Sequence, residues 1–415
     1  MYKARHLRIK RWLSRGLKLG TLGGVLLPAL LAVLWVEHKA PLELPVPTGP
    51  FAVGRLTAAW VDEERIDSSA AAHEQKRELL VWIWYASARG QSVAMTDDYV
   101  PAPLQAAVER GRGALISKFL TRDLSKVRAH SIPNADVSPR QPSYPVVILR
   151  AGASAEVWNY STLAEDLASH GYFVVGFDAP YRTNVVVFPD GRVIRRAPEN
   201  NPELCEGQAP AQQGRCVNKV LTAWIADIAF VLDRLQQLNT SDPSGKFTGR
   251  LDMTRVGIFG HSFGGATAAQ FCHDDLRCKA GIDVDGQPFG SVVQAGLHQP
   301  FMFLLSDHKN EPEAETRPIL ANIQSIYQRL PLNGRLRITI RGANHFFFSD
   351  DGALLKSHIV LRALRALGIT GIDGRRQLAV TAYCVHTFFD AYLKGESVSG
   401  LKTSSPLYSE MQWAP

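Results

Sequence analysis

The chain has 415 residues, 46% of them apolar and 20% charged, a balance that builds a globular core and excludes a disordered or fibrous protein. Its net charge of +7 is local: seven of the 46 basic residues, Lys3 to Lys18, precede the first acidic residue, Glu37, and the other 39 match the 39 acidic ones. A nucleic-acid footprint needs cations gathered on a folded face, so that class of partner is excluded as well.

Residues 1–18 read as a basic leader held on the cytoplasmic side, and residues 19–36 (LGTLGGVLLPALLAVLWV) as an uncharged run. As a helix that run spans about 27 Å, just enough for the hydrocarbon layer of about 30 Å. It is expected to be a single transmembrane signal anchor rather than a cleaved signal, because Glu37-His38-Lys39-Ala40-Pro41 offers a poor small-x-small cleavage site, with a proline after Ala40. The bulk of the chain then lies on the periplasmic or extracellular side, or is secreted if the segment is cut. Residues 37–50, with four prolines after Pro41 inclusive, read as an extended tether. Residues 51–415 are expected to form one catalytic domain with insertions at about 86–142 and 182–216.

Within that domain, residues 78–85 carry the β-branched and aromatic residues of a strand, and 104–124 a helical pattern. Strands are predicted at 145–149, 173–177, 255–259, 280–284, 301–305 and 336–340, and helices at 155–170, 218–238 and 377–393. Residues 182–216 are polar and show little period of either kind. Strands alternating with helices imply an α/β fold, a mostly parallel sheet covered on both faces. Cys205 with Cys216, and Cys272 with Cys278, bracket short segments and are candidate disulfides, consistent with export. Cys384 is left as a buried apolar residue. A metal site lacks its spacing, since no C-x-x-C or paired histidines accompany the cysteines.

The chemistry concentrates in Gly260-His261-Ser262-Phe263-Gly264-Gly265, between the strand 255–259 and a helix-tolerant run from Ala266. A G-x-S-x-G pattern on a strand-turn-helix junction exposes the serine hydroxyl on a sharp turn. Serine needs a base, itself oriented by an acid, and on such a fold the chain order is serine, acid, histidine. His345, lifted past the strand 336–340 by a short loop, is the expected base, with Phe346, Phe347 and Phe348 beneath it. His308, His358 and His386 are rivals, and His261 is expected to shape the turn. For the acid, Asp285 and Asp307 each close a strand, and spacing leaves both open; Asp283 points into its strand and reads as structural.

The segments Thr48–Gly54, Leu167–Gly171 and Gly260–Ala266 resemble the plasma-type platelet-activating-factor acetylhydrolases and their bacterial relatives, within the α/β-hydrolase superfamily. So do Arg277-Cys278 with Gly281-Ile282-x-x-Asp285, Ile338–Gly342 with His345, and Phe388-Phe389-Asp390-x-Tyr392-Leu393. The resemblance implies Asp285 as the acid, with Asp307 as second choice. It also implies an oxyanion hole of backbone N–H groups from Phe263 and Ala153. Relatives carry His-Gly where this chain has Ala151-Gly152, so the support of that hole differs here. The expected activity is a cofactor-independent serine esterase, with short sn-2 acyl groups of phospholipids as the implied substrates. A general carboxylesterase or polyester hydrolase, and a non-catalytic anchored binding protein, are the competing readings. Sequence leaves the oligomeric state open.

Overall fold

A mixed sheet forms the middle of the molecule in the computed structural model, which describes residues 27–67, 69–70, 74–88, 97–113, 121–197, 200–310, 312–355, 371–403 and 405–414. Its strands in chain order are β1 (Ala52–Ile66), β2 (Lys76–Ser87), β3 (Ser131–Pro133), β4 (Tyr144–Arg150), β5 (Phe173–Asp178), β6 (Leu251–His261), β7 (Cys278–Val284), β8 (Phe301–Leu305), β9 (Arg335–Ile340) and β10 (Met411–Ala414). They lie side by side in the order β10-β9-β8-β7-β6-β4-β5-β2-β1-β3. From β5 through β9 the neighbours run parallel, while β2 is antiparallel to β5 and β10 to β9.

The longer helices are α1 (Ala102–Arg112), α2 (Ser161–Ser169), α3 (Pro210–Thr240), α4 (Phe263–Asp274), α5 (Glu313–Tyr327) and α6 (Gly374–Lys394). α2 and α6 pack on one face, against Trp82, Trp84 and Leu149. α3, α4 and α5 pack on the other, against Val81, Ile83 and Ile148. Because successive strand residues point to opposite faces, adjacent residues of β2 and β4 feed two separate cores. That explains why both strands read as continuous apolar runs.

The expected strands and most helices are present, with several corrections. β1 was not anticipated: its outer half carries Asp62, Glu63, Glu64 and Arg65, which masks an alternating strand that pairs Val53 with Ala86 and Trp60 with Leu79. The helix expected over 104–124 ends at Arg112, where Gly113 takes φ 79°, and residues 114–120 lie outside the described residues. The polar stretch 182–216 is more ordered than its composition suggests. Val185–Val187 pairs with Val193–Arg195, and α3 starts at Pro210, whose missing N–H suits a first helical turn. α5 and β10 were also missed. α5 carries an internal Pro318, and the short β10 has little room for a periodic signal.

The expected tether is docked on the domain. Leu42–Glu43 pairs with Val127–Ala129 in a small second sheet, and Thr48 donates its hydroxyl to Asp166 at 2.7 Å. Residues 27–39 are helical and leave Leu27, Val33, Trp35 and Val36 exposed. Among the described residues no helix is long and apolar enough to cross a membrane. Residues 1–26, which include the leader and the first part of the expected anchor, lie outside the described residues. Both cysteine pairs are bonded, and Cys384 is free and buried. Cys205 ends the single turn Pro202–Cys205, and Cys216 sits on α3 rather than at the end of a loop.

Candidate active site

β6 lies between β4 and β7, so its end is central to the sheet's carboxyl rim, where open α/β sheets bind ligands. The chain must reverse there without room for a side chain. A Cβ on Gly260 would stand 2.2 Å from the Gly264 oxygen, and one on Gly264 would stand 2.4 Å from the Arg150 oxygen. Ser262 sits in the turn at φ 56°, ψ −125°, a conformation that costs on the order of 1–3 kcal/mol and persists only where its surroundings enforce it. They do: its N–H donates to Val284 at 2.9 Å, and its carbonyl accepts from Gly265 at 2.9 Å and Ala266 at 3.2 Å. α4 begins at the next residue, so the N–H of Phe263 is among the unpaired donors of a helix start.

Asp285 follows β7 directly, at φ 54°. Its Oδ2 lies 2.8 Å from Nδ1 of His345, and its Oδ1 accepts the Ser306 N–H at 2.7 Å. His308 stands on the other side, with Nε2 3.4 Å from Oδ1. Burial alone would raise the pKa of this carboxyl, but the hydrogen bonds from His308, His345 and Ser306 outweigh it and hold Asp285 far below the usual carboxylate range. An ionised carboxylate can only accept, so Nδ1 of His345 carries a proton there, and the neutral ring in that tautomer has its lone pair on Nε2.

Asp307, the second candidate acid, has a different partner. Its Oδ2 takes the Gly342 N–H at 2.9 Å and so braces the loop leading to His345. Gln377 on α6 grips the same loop, accepting the Asn344 N–H at 3.1 Å and donating to the Asn344 carbonyl at 2.8 Å. Sequence reading missed Gln377, since a glutamine inside an amphipathic helix carries no signal of its own. Phe347 and Phe348 are buried, and the Phe348 ring lies 5.8 Å from that of His261. Phe346 is not: it is 70% exposed and meets the His345 ring edge-on, with centroids 5.6 Å apart.

His261 does shape the turn, and it also links two parts of the site. Its ring lies 4.5 Å from that of His345, and its Nδ1 lies 2.8 Å from the Tyr160 hydroxyl. Burial, then the neighbouring His345, push its pKa down to about 3, so the ring is neutral. The Tyr160 hydroxyl also accepts the Gly152 N–H at 3.3 Å. One hydroxyl can donate to a neutral Nδ1 while accepting from Gly152. Tyr160 thus ties the Ala151-Gly152 loop to His261, and nothing in its sequence setting marked it for that role.

Ser262, His345, Ala153, Tyr160, Phe346 and Glu156 line one cavity of about 260 Å³. Burial pushes the Glu156 carboxyl up to about 8. Asp283, expected to be structural, accepts the Gly286 N–H at 2.8 Å inside the protein. His386 is not among the residues lining this cavity and pairs with Asp166 at 2.8 Å; His358 lies outside the described residues. Asp166, His170 and His386 bring potential ligand atoms within 4.8 Å of one another. Thr48 hydrogen bonds to Asp166 and His170, and the two imidazoles stack at 4.0 Å and 19°, so their nitrogens run side by side rather than converge.

The sequence profile described as "Platelet-activating factor acetylhydrolase, isoform II" matches residues 37–189 and 192–397. The chain belongs to this family. It is 24% identical over 392 residues to a "Probable 1-alkyl-2-acetylglycerophosphocholine esterase" of Arthroderma benhamiae, covering 89% of this chain and 92% of the relative. It is 28% identical over 224 residues to the platelet-activating factor acetylhydrolase of Bos taurus, an alignment that covers 50% of this chain and 48% of the relative. A solved ferulic acid esterase from Streptomyces cinnamoneus superposes with a TM-score of 0.71 at 28% identity, covering 91% of this chain and all of the other. This member of the acetylhydrolase family is a serine ester hydrolase.

Proposed function

We propose that the chain is an α/β-hydrolase-fold esterase that removes short sn-2 acyl groups from phospholipids through an acyl-serine intermediate. Ser262 is the nucleophile, His345 the base and Asp285 its orienting acid. The observation carrying this reading is the 2.8 Å contact between Asp285 and His345 beside a serine held at φ 56° on the wall of the same cavity. In acylation, Ser262 Oγ attacks the ester carbonyl and its proton passes to His345 Nε2. The carbonyl oxygen becomes an oxyanion facing the N–H groups of Ala153 and Phe263, each worth roughly 3–4 kcal/mol of barrier in such holes. The leaving alcohol takes the proton from His345 as its bond to carbon breaks, and water repeats the steps to free the acid. Ser262 Oγ and His345 share the cavity without a hydrogen bond between them in this structure; such contacts tighten once substrate is bound.

A cavity of about 260 Å³ suits an acetyl or similarly short chain better than a fatty acid. The two disulfides favour an oxidising compartment, with the catalytic domain exported and either anchored through residues 19–36 or released. A second reading draws on the ferulic acid esterase neighbour: the exposed Phe346 beside His345 offers a stacking platform for an aromatic acyl group. One substrate series separates the two. Fast turnover of sn-2 acetyl phospholipid, falling with acyl length, supports the first; feruloyl or benzoyl esters turned over faster than any phospholipid favour the second. Labelling by a fluorophosphonate, abolished in Ser262→Ala, tests the nucleophile itself, and an unlabelled folded wild type would leave only the binding-protein reading.

A further inference from the structure

Ser154 follows Ala153, lines the catalytic cavity and has φ 64°. A left-handed backbone is costly for a residue with a side chain, so other contacts must hold it. All of those contacts come from the polar stretch after β5. The Ser154 hydroxyl accepts from the Arg196 guanidinium and donates to Glu203 Oε1 at 3.2 Å. Arg196 and Glu203 pair with each other at 3.1 Å, and the Ser154 carbonyl accepts the Asn184 N–H at 2.9 Å. Glu203 sits on the turn Pro202–Cys205, which the Cys205–Cys216 disulfide fastens to α3.

We propose that Arg196 and Glu203 act as a positioning clamp on the oxyanion loop, gripping Ser154 so that the adjacent Ala153 N–H stays aimed at the substrate's carbonyl oxygen. The inference rests on the reading of Ala153 as an oxyanion donor. The pair's side chains are 33% and 42% exposed, and an ion pair so placed adds little to global stability. Its effect is local. It removes freedom from one strained residue next to a donor that must be placed before charge develops on the substrate. An interaction that matters only in the transition state appears in kcat and leaves KM nearly unchanged.

The test uses Arg196→Met, Glu203→Ala and the conservative Arg196→Lys in the full chain, with a short-chain ester and its thionoester as substrates. A thionoester develops its charge on sulfur, which is larger and a poorer hydrogen-bond acceptor, so a working oxyanion hole favours the oxygen ester strongly. Arg196→Met and Glu203→Ala are expected to lower kcat on the ester about tenfold, with KM and the thermal midpoint nearly in place. The thionoester rate should change much less, so the ester-to-thionoester ratio collapses, and Arg196→Lys should restore most of it. A raised KM with kcat intact, or equal losses on both substrates, would overturn the clamp. If instead the wild type shows no preference for the oxygen ester, the oxyanion-hole reading has failed rather than the clamp built on it.

Discussion

Replacing Asp285 by asparagine keeps the shape of the side chain and removes its charge, and the geometry dictates how the new amide must sit. Oδ1 accepts the Ser306 N–H at 2.7 Å, so the amide oxygen has to stay there to keep a buried donor paired. The NH₂ group then occupies the Oδ2 position, 2.8 Å from His345 Nδ1. Two donors cannot share that contact, so the imidazole shifts its proton to Nε2 and presents Nδ1 to the amide. With Nε2 protonated it cannot accept the Ser262 proton. The expected loss in kcat is on the order of 10³–10⁴, or about 4–5.5 kcal/mol of barrier. The assay is kcat on a short nitrophenyl ester, with circular dichroism as the check on folding. Asp307→Asn is the control: its amide oxygen can still accept from Gly342, so the loss should stay below about tenfold. A folded Asp285→Asn enzyme retaining more than about a tenth of wild-type kcat would refute the argument. So would an Asp307→Asn enzyme that loses more than it.

Tyr160→Phe strips the partner from both the Gly152 N–H and His261 Nδ1, so kcat is expected to fall about tenfold with KM little changed; a wild-type kcat would remove Tyr160 from the site. Asp227 is fully buried and takes Arg77 at 2.7 Å, Arg182 at 2.6 Å and Arg65 at 3.1 Å, so Asp227→Asn should cost about 3–5 kcal/mol in urea unfolding, a marginal change counting against the network. Burial opposes ionisation of Asp227, but the arginines hold its pKa far below the ordinary value. Its contribution is therefore present above the unfolded carboxylate pKa of about 4 and lost as pH falls below it, so wild type and variant should converge in stability under acid. Glu156 shifts the other way, to about 8. A raised carboxyl pKa favours the folded state relatively below the unfolded value of about 4 and costs stability as pH rises towards 8. Glu156→Gln should therefore unfold at a higher temperature than wild type near pH 9, with the gap closing towards pH 4; a gap independent of pH would contradict the shift.

Much of the candidate site could be read without coordinates. Gly260-His261-Ser262-Phe263-Gly264 announced a strand-turn-helix junction, and the order serine, acid, histidine narrowed the partners to a few residues. Strand β4 and helix α6 were visible for the same reason: apolar periodicity is local, set by 2 or 3.6 residues per repeat. β1 escaped because half its residues face water beside a charged run, and α3 was started late because a polar first turn carries no period.

The choice between Asp285 and Asp307 was of another kind. Both close neighbouring strands, and only the packing of a loop sixty residues away decides which meets His345. The same holds for Tyr160, which meets His261 across 101 positions, for Gln377, and for the grip of Arg196 and Glu203 on Ser154. Short-range order is written in neighbouring residues because backbone sterics and side-chain period act over a turn or a strand. Which polar groups share a hydrogen bond is settled only when distant segments are packed against one another, since that contact depends on distances of about 3 Å that no sequence spacing encodes.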